Sequence, residues 1–124
     1  MGWKESYERA SELAEQLENL GHLSVTRLFG GAAIRVNGLP IAFVMGDVLY
    51  GRTRPEDVEE CRGRGLEPFQ FTKSHGEVVM TSYFSAPAEA LDEPELMDAW
   101  ARRALDAAVS TQLEKSARAR KTAK

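Results

Sequence analysis

The stretch Ala32-Ala33-Ile34-Arg35-Val36-Asn37-Gly38-Leu39-Pro40-Ile41-Ala42-Phe43-Val44-Met45 decides the fold class. Two apolar runs flank Asn37-Gly38, and both residues of that pair accept the positive φ that a two-residue type I′ hairpin turn demands. The pattern predicts antiparallel pairing of strand 32–37 with strand 40–45. Working outward, VTRLF lies upstream and VLY downstream, separated from the hairpin by Gly30-Gly31 and Gly46-Asp47. The second pair supplies another tight turn and the first a candidate β-bulge, so Ser24 to Arg52 reads as a meander of about four strands.

Helical spacing brackets this meander. Tyr7, Ala10, Leu13, Ala14, Leu17 and Leu20 form an apolar stripe, with glutamates covering the other face, and Gly21 is the expected stop. After the meander, Thr53-Arg54-Pro55-Glu56 has the form of a capping box, with Thr53 placed to cap the amide of Glu56. The helix it opens is short, ended by Gly63 and Gly65. Strands are expected at Phe69–Thr72 and Val78–Tyr83 around a Ser74-His75-Gly76 turn. Asp92-Glu93-Pro94-Glu95 then opens a last helix, whose stripe includes Met97, Trp100, Ala101, Ala104 and Ala108 and runs to about Leu113.

The order α-β-β-β-β-α-β-β-α, with hairpin-length connections between strands, gives an α+β fold. A mostly antiparallel sheet carries an N-terminal helix, a short middle helix and a long C-terminal helix, gathered on one face. At 124 residues there is room for one core, and the 43% hydrophobic and 28% charged content is that of a globular protein. We expect one domain over 1–114 and a flexible basic tail over 115–124. The net charge of −3 conceals this split: residues 1–114 carry −8 and residues 115–124 carry +5. No apolar run approaches the length of a membrane span and the first residues lack a signal-peptide core, so the expected location is the cytoplasm, without membrane contact.

Reactive groups are sparse. His22 and His75 fall in turns with no His or Cys at ligand spacing, and Cys61 is the only cysteine. There is no Gly-x-Ser-x-Gly elbow, and Gly30-Gly31 does not lead into a helix as a phosphate loop would. These observations predict no catalytic residues, no metal and no cofactor. Arg52, Arg54, Arg62 and Arg64 flank the acidic second helix, either as a site for carboxylates or phosphates or as partners of Glu56, Asp57, Glu59 and Glu60. Phe69, Phe71, Tyr83, Phe84 and Trp100 are read chiefly as core.

FGGAAIRVNGLPIAFVMGDVLY, GLEPFQF, TSYFSAP and ALDEPELMDAWARRALDAA, in that order, resemble the N-terminal domain of the TfoX/Sxy family. The likeness covers about Leu13 to Ala108. Phe29-Gly30-Gly31, Glu67-Pro68-Phe69, Ser82-Tyr83 and Trp100-Ala101 carry it. This sequence departs from the pattern at Ala32 and Ala33, where an aromatic residue is usual, and at Leu28, where Met is common. The resemblance implies an α+β arrangement similar to secretion chaperones. For longer members, which carry a second helical domain, it also implies regulation of competence genes alongside a cyclic-AMP-receptor-type activator. The chain is expected to be a stand-alone N-terminal domain.

The expected function is that of a small non-enzymatic regulatory or adaptor domain, a monomer or homodimer, acting on another protein in transcription or competence-type regulation. A sheet edge or the Phe29-Gly30-Gly31 turn would make the contact, with Arg52, Arg54, Arg62, Arg64 and Tyr83 as further candidates. The alternative is direct nucleic-acid binding by the arginines around the second helix and by a tail comprising Lys115, Arg118, Arg120, Lys121 and Lys124.

Overall fold

A computed structural model describes residues 3–28 and 30–122, with side chains through Lys115. Helix α1 (Trp3–Gln16) precedes strands β1 (Leu23–Leu28), β2 (Gly31–Val36), β3 (Leu39–Met45) and β4 (Val48–Arg52). Helix α2 (Val58–Gly63), the hairpin β5 (Pro68–Lys73) and β6 (Gly76–Ser85), a short α3 (Ala88–Asp92) and the long α4 (Pro94–Thr122) complete it. The six strands form one antiparallel sheet in the order β1-β2-β3-β4-β6-β5. The α+β class and the element order are those the sequence predicts.

The central hairpin turns as expected. Val36 pairs with Leu39, leaving Asn37 and Gly38 as the loop, with φ of 51° and 86°. Met45 likewise pairs with Val48 across Gly46-Asp47. The bulge lies elsewhere than Gly30-Gly31: Gly30, at φ 84°, is in the β1–β2 turn, Gly31 begins β2, and the register slips between Ile34 and Arg35.

Both long helices cover one face of the sheet. Ala10 and Leu13 of α1, Leu17 just after it, and Met97, Ala101 and Ala104 of α4 bury against Ile34, Val36, Ile41 and Val44. The alanines of α4 let the helix axis approach the sheet closely, where larger side chains would hold it off. Gly51 of β4 lies against the Trp100 ring, which leaves no room for a Cβ there. On the opposite face β5 and β6 bring Phe69 and Tyr83 onto Phe43, with ring centroids 4.8 and 4.9 Å apart, and Tyr50 stacks on Phe43 at 5.2 Å. Edge-to-face pairs of this kind add to the area they bury.

Five further expectations require correction. Helix α1 ends at Gln16, and a single 3-10 turn over Glu18–Leu20 leads to Gly21. Its buried stripe includes Ser6 in place of Tyr7, which is 44% exposed. Thr53 does not cap: its hydroxyl donates to the Gly51 carbonyl at 3.0 Å, and Arg54 occupies the cap position of the turn before α2. Asp92 closes α3 instead of opening α4, which begins at Pro94 and continues beyond Leu113 to Thr122.

Candidate interaction site

Two of the arginines around α2 are drawn into ion pairs, Arg54 with acidic neighbours its spacing suggests and Arg64 with a more distant one. Arg54 Nε lies 3.3 Å from Asp57 Oδ2 and 3.5 Å from Glu56. Arg64 donates to Glu89 of α3 at 2.6 Å. Arg62 is exposed. The residue that organises the cluster is Arg103 of α4, which the sequence reading missed. Its guanidinium forks onto Glu60 at 2.7 and 3.0 Å and reaches Asp57 at 3.1 Å, tying α2 to α4. The available signal was the Arg102-Arg103 doublet on the polar side of the α4 stripe.

This geometry sets the local electrostatics. Burial pushes the Asp57 carboxyl up, but hydrogen bonds from Arg103 and Arg54 outweigh it and hold the group below its ordinary range. The Arg103 hydrogen bond does the same to Glu60, and Glu60 in turn raises Arg103. Beneath the cluster is a small cleft of about 50 Å³, lined among others by Cys61, Trp100 and Arg103. Burial raises the Cys61 thiol despite Arg103 nearby, so this cysteine is kept in its neutral, weakly nucleophilic form.

Other sequence candidates sit apart. Tyr83 is 3% exposed, in the aromatic cluster, with the Arg52 guanidinium 5.2 Å above its ring and donating to its hydroxyl at 3.3 Å. A Cβ on Gly31 would stand 2.2 Å from the Val44 carbonyl oxygen, so Gly31 permits the close approach of β2 and β3. Phe29 lies outside the described residues, as do Lys124 and the side chains of Arg118, Arg120 and Lys121, while Lys115 is exposed on α4. His22 donates its backbone N–H to Asn37 Oδ1 at 2.9 Å. Among the described residues no cluster of three or more His, Cys, Asp or Glu is arranged to hold a metal ion, and no helix is long and apolar enough to cross a membrane.

Strand β1 presents a different surface. Among the described residues it is the terminal strand of the sheet, bonded only to β2, and its residues Leu23 to Thr26 are half-buried. Alternate backbone N–H and C=O groups of such a strand point away from the sheet. Helix α1 flanks it, and between them runs an open groove of about 510 Å³ whose walls include Tyr7, Ser11, Glu15, Glu18, Ser24 and Val25. The other terminal strand, β5, begins at Pro68 and ends at Lys73, residues that discourage further pairing; β1 carries no proline.

The fold, the ion pairs of Arg54, Arg64 and Arg103 and the open β1 edge together define a small α+β domain built around one antiparallel sheet. Residues 15–108 match the TfoX N-terminal domain model, and the chain belongs to that family. Among curated protein sequences none matches the chain significantly.

Proposed function

We infer that this is a non-enzymatic regulatory or adaptor domain that works by contact with another protein. Membership in the TfoX N-terminal domain family supports a regulatory, competence-type role in general terms. The observation that carries the protein-contact reading is the β1 edge, whose one strand neighbour among the described residues is β2 and which lies beside an open groove. Main-chain pairing at a sheet edge supplies affinity, and neighbouring side chains supply selectivity. The nucleic-acid alternative draws on the arginines around α2. Arg54 and Arg64 face carboxylates at 3.3 and 2.6 Å, which lessens the positive field they offer a phosphate backbone.

Site-specific photo-crosslinking in the native host tests this reading. A benzophenone side chain at Ser24 should give discrete protein adducts that the same probe at Val79, exposed on β6, does not give. Nucleic-acid adducts at Ser24, or identical adducts at both positions, would contradict it.

A further inference from the structure

Tyr7 is out of place for a core residue. The apolar stripe of α1 turns Ala10, Leu13 and Ala14 into the core, yet Tyr7 stands 44% exposed, its ring 5.4 Å from that of Trp3, on the wall of the β1 groove. On the same wall, toward the Leu23 end of β1, are Glu15 and Glu18. At the opposite end Arg27 lies over the Trp3 ring at 5.2 Å. The groove therefore has a polarity, two carboxylates at one end and an aromatic side chain along the wall, while Arg27 and Trp3 stand outside its lining.

An extended segment paired to the outer side of β1 would alternate its side chains between the two sheet faces. Those on the helix side would meet α1. Six residues of β1 span roughly 20 Å at about 3.3 Å per residue, so a segment of similar length is accommodated. Side chains near Glu15 and Glu18 would be favoured as Lys or Arg, which those carboxylates attract. A second copy of the chain fits poorly. Pairing β1 with β1 about a two-fold axis is antiparallel, so it brings only Arg27 of the other copy toward Glu15 and Glu18, and that guanidinium is already held over its own Trp3 ring at 5.2 Å.

We propose that the α1–β1 groove takes an extended segment of a partner protein as an added antiparallel strand, with basic side chains in the half of the segment facing Glu15 and Glu18. This rests on the protein-contact reading above and names the chemistry of the partner. In an antiparallel addition that half is the C-terminal one, because β1 begins beside the two glutamates.

The test uses the full chain and fluorescently labelled synthetic peptides, followed by anisotropy at low and physiological salt. The probe is Thr-Val-Thr-Val-Lys-Val-Lys-Thr, its comparison the same peptide with Glu for both Lys, and each is also made with backbone N-methyl groups at alternate residues in either phase. The basic peptide should bind about tenfold or more tighter than the acidic one, and the double variant Glu15→Lys, Glu18→Lys should reverse that order. N-methylation in one phase should abolish binding and in the other leave it, because only alternate amides of an added strand face β1. Equal loss or equal retention in the two phases would overturn strand addition. An acidic peptide that binds as well as the basic one, with the methylation phase effect intact, would overturn the basic preference and leave the protein-contact reading standing. No binding by any peptide, with sedimentation velocity showing a dimer that Thr26→Pro dissociates, would overturn the proposal in favour of a second copy. No peptide binding by a monomer would overturn it together with the use of this edge.

Discussion

Replacing Gly51 by Ala adds one methyl group where the structure has no room. The backbone at Gly51 is not in the positive-φ region, so any cost is steric. A Cβ there would stand 2.2 Å from Trp100 Cζ2 and 2.9 Å from both Cε2 and Cη2, atoms in the body of a rigid indole whose helix is packed on the sheet. Contacts under 3 Å against a ring that cannot flex must be relieved by moving α4 or β4, and overpacking of this kind costs about 1–3 kcal/mol. With an unfolding entropy of about 2.1 cal/mol/K per residue, each kcal/mol lowers the Tm of a domain this size by about 4 °C, so a fall of about 4–12 °C is expected. Denaturant unfolding followed by circular dichroism, together with thermal scans, measures it. Trp100→Leu in the same chain removes the obstructing ring, so the double variant should be less destabilised than the sum of the singles by about 1 kcal/mol or more. A Gly51→Ala protein within about 0.5 kcal/mol of the parent, or strict additivity, would refute the close approach of β4 and α4.

Other consequences are equally open to measurement. Asp57 and Glu60 titrate below their ordinary values of 3.8 and 4.5 when folded, so their pairing with Arg103 stabilises the protein fully at neutral pH and is lost as pH falls through the lowered values. Acid unfolding should therefore be steeper in the parent than in Arg103→Gln, and parallel acid limbs would exclude the link. Phe43, fully buried and in contact with Tyr50, Phe69 and Tyr83, should cost about 3–5 kcal/mol as Phe43→Ala by denaturant titration; under about 1 kcal/mol would mean that the aromatic face is not a packed core. In anisotropy titrations with single- and double-stranded DNA and RNA, the full chain and a chain ending at Glu114 should both fail to bind at physiological salt. Micromolar, salt-sensitive binding lost on truncation would favour the basic tail as a nucleic-acid element.

Local backbone preference made the central hairpin legible: Asn37-Gly38 requires a conformation that few residue pairs accept, and the flanking apolar runs fix its register. Tertiary facts were less accessible. Nothing near Gly51 in sequence signals Trp100, and Arg103 is an unremarkable helical arginine until folding brings α2 beside it. Helix α3, at five residues between Pro87 and Pro94, is too short for a periodic signal. The stop expected near Leu113 confused two properties. The amphipathic pattern fades there, which removes a packing face, but Lys, Arg and Ala remain good helix formers and α4 continues. The β1 groove was legible only as the general idea of a sheet edge. Its location depends on strand order, and Tyr7 falls on its wall because Ser6, four residues before Ala10, takes the buried place at the start of the α1 stripe.

The central claim is that the outer side of β1 is unoccupied in the free domain, and amide hydrogen exchange resolved to single residues by NMR tests it most directly. Residues 23–28 should alternate, with amides bonded to β2 slow and the intervening ones exchanging nearly as fast as in an unfolded chain, while β3 and β4 are protected throughout. Uniform protection along β1 would show that its edge is already covered and would contradict the account.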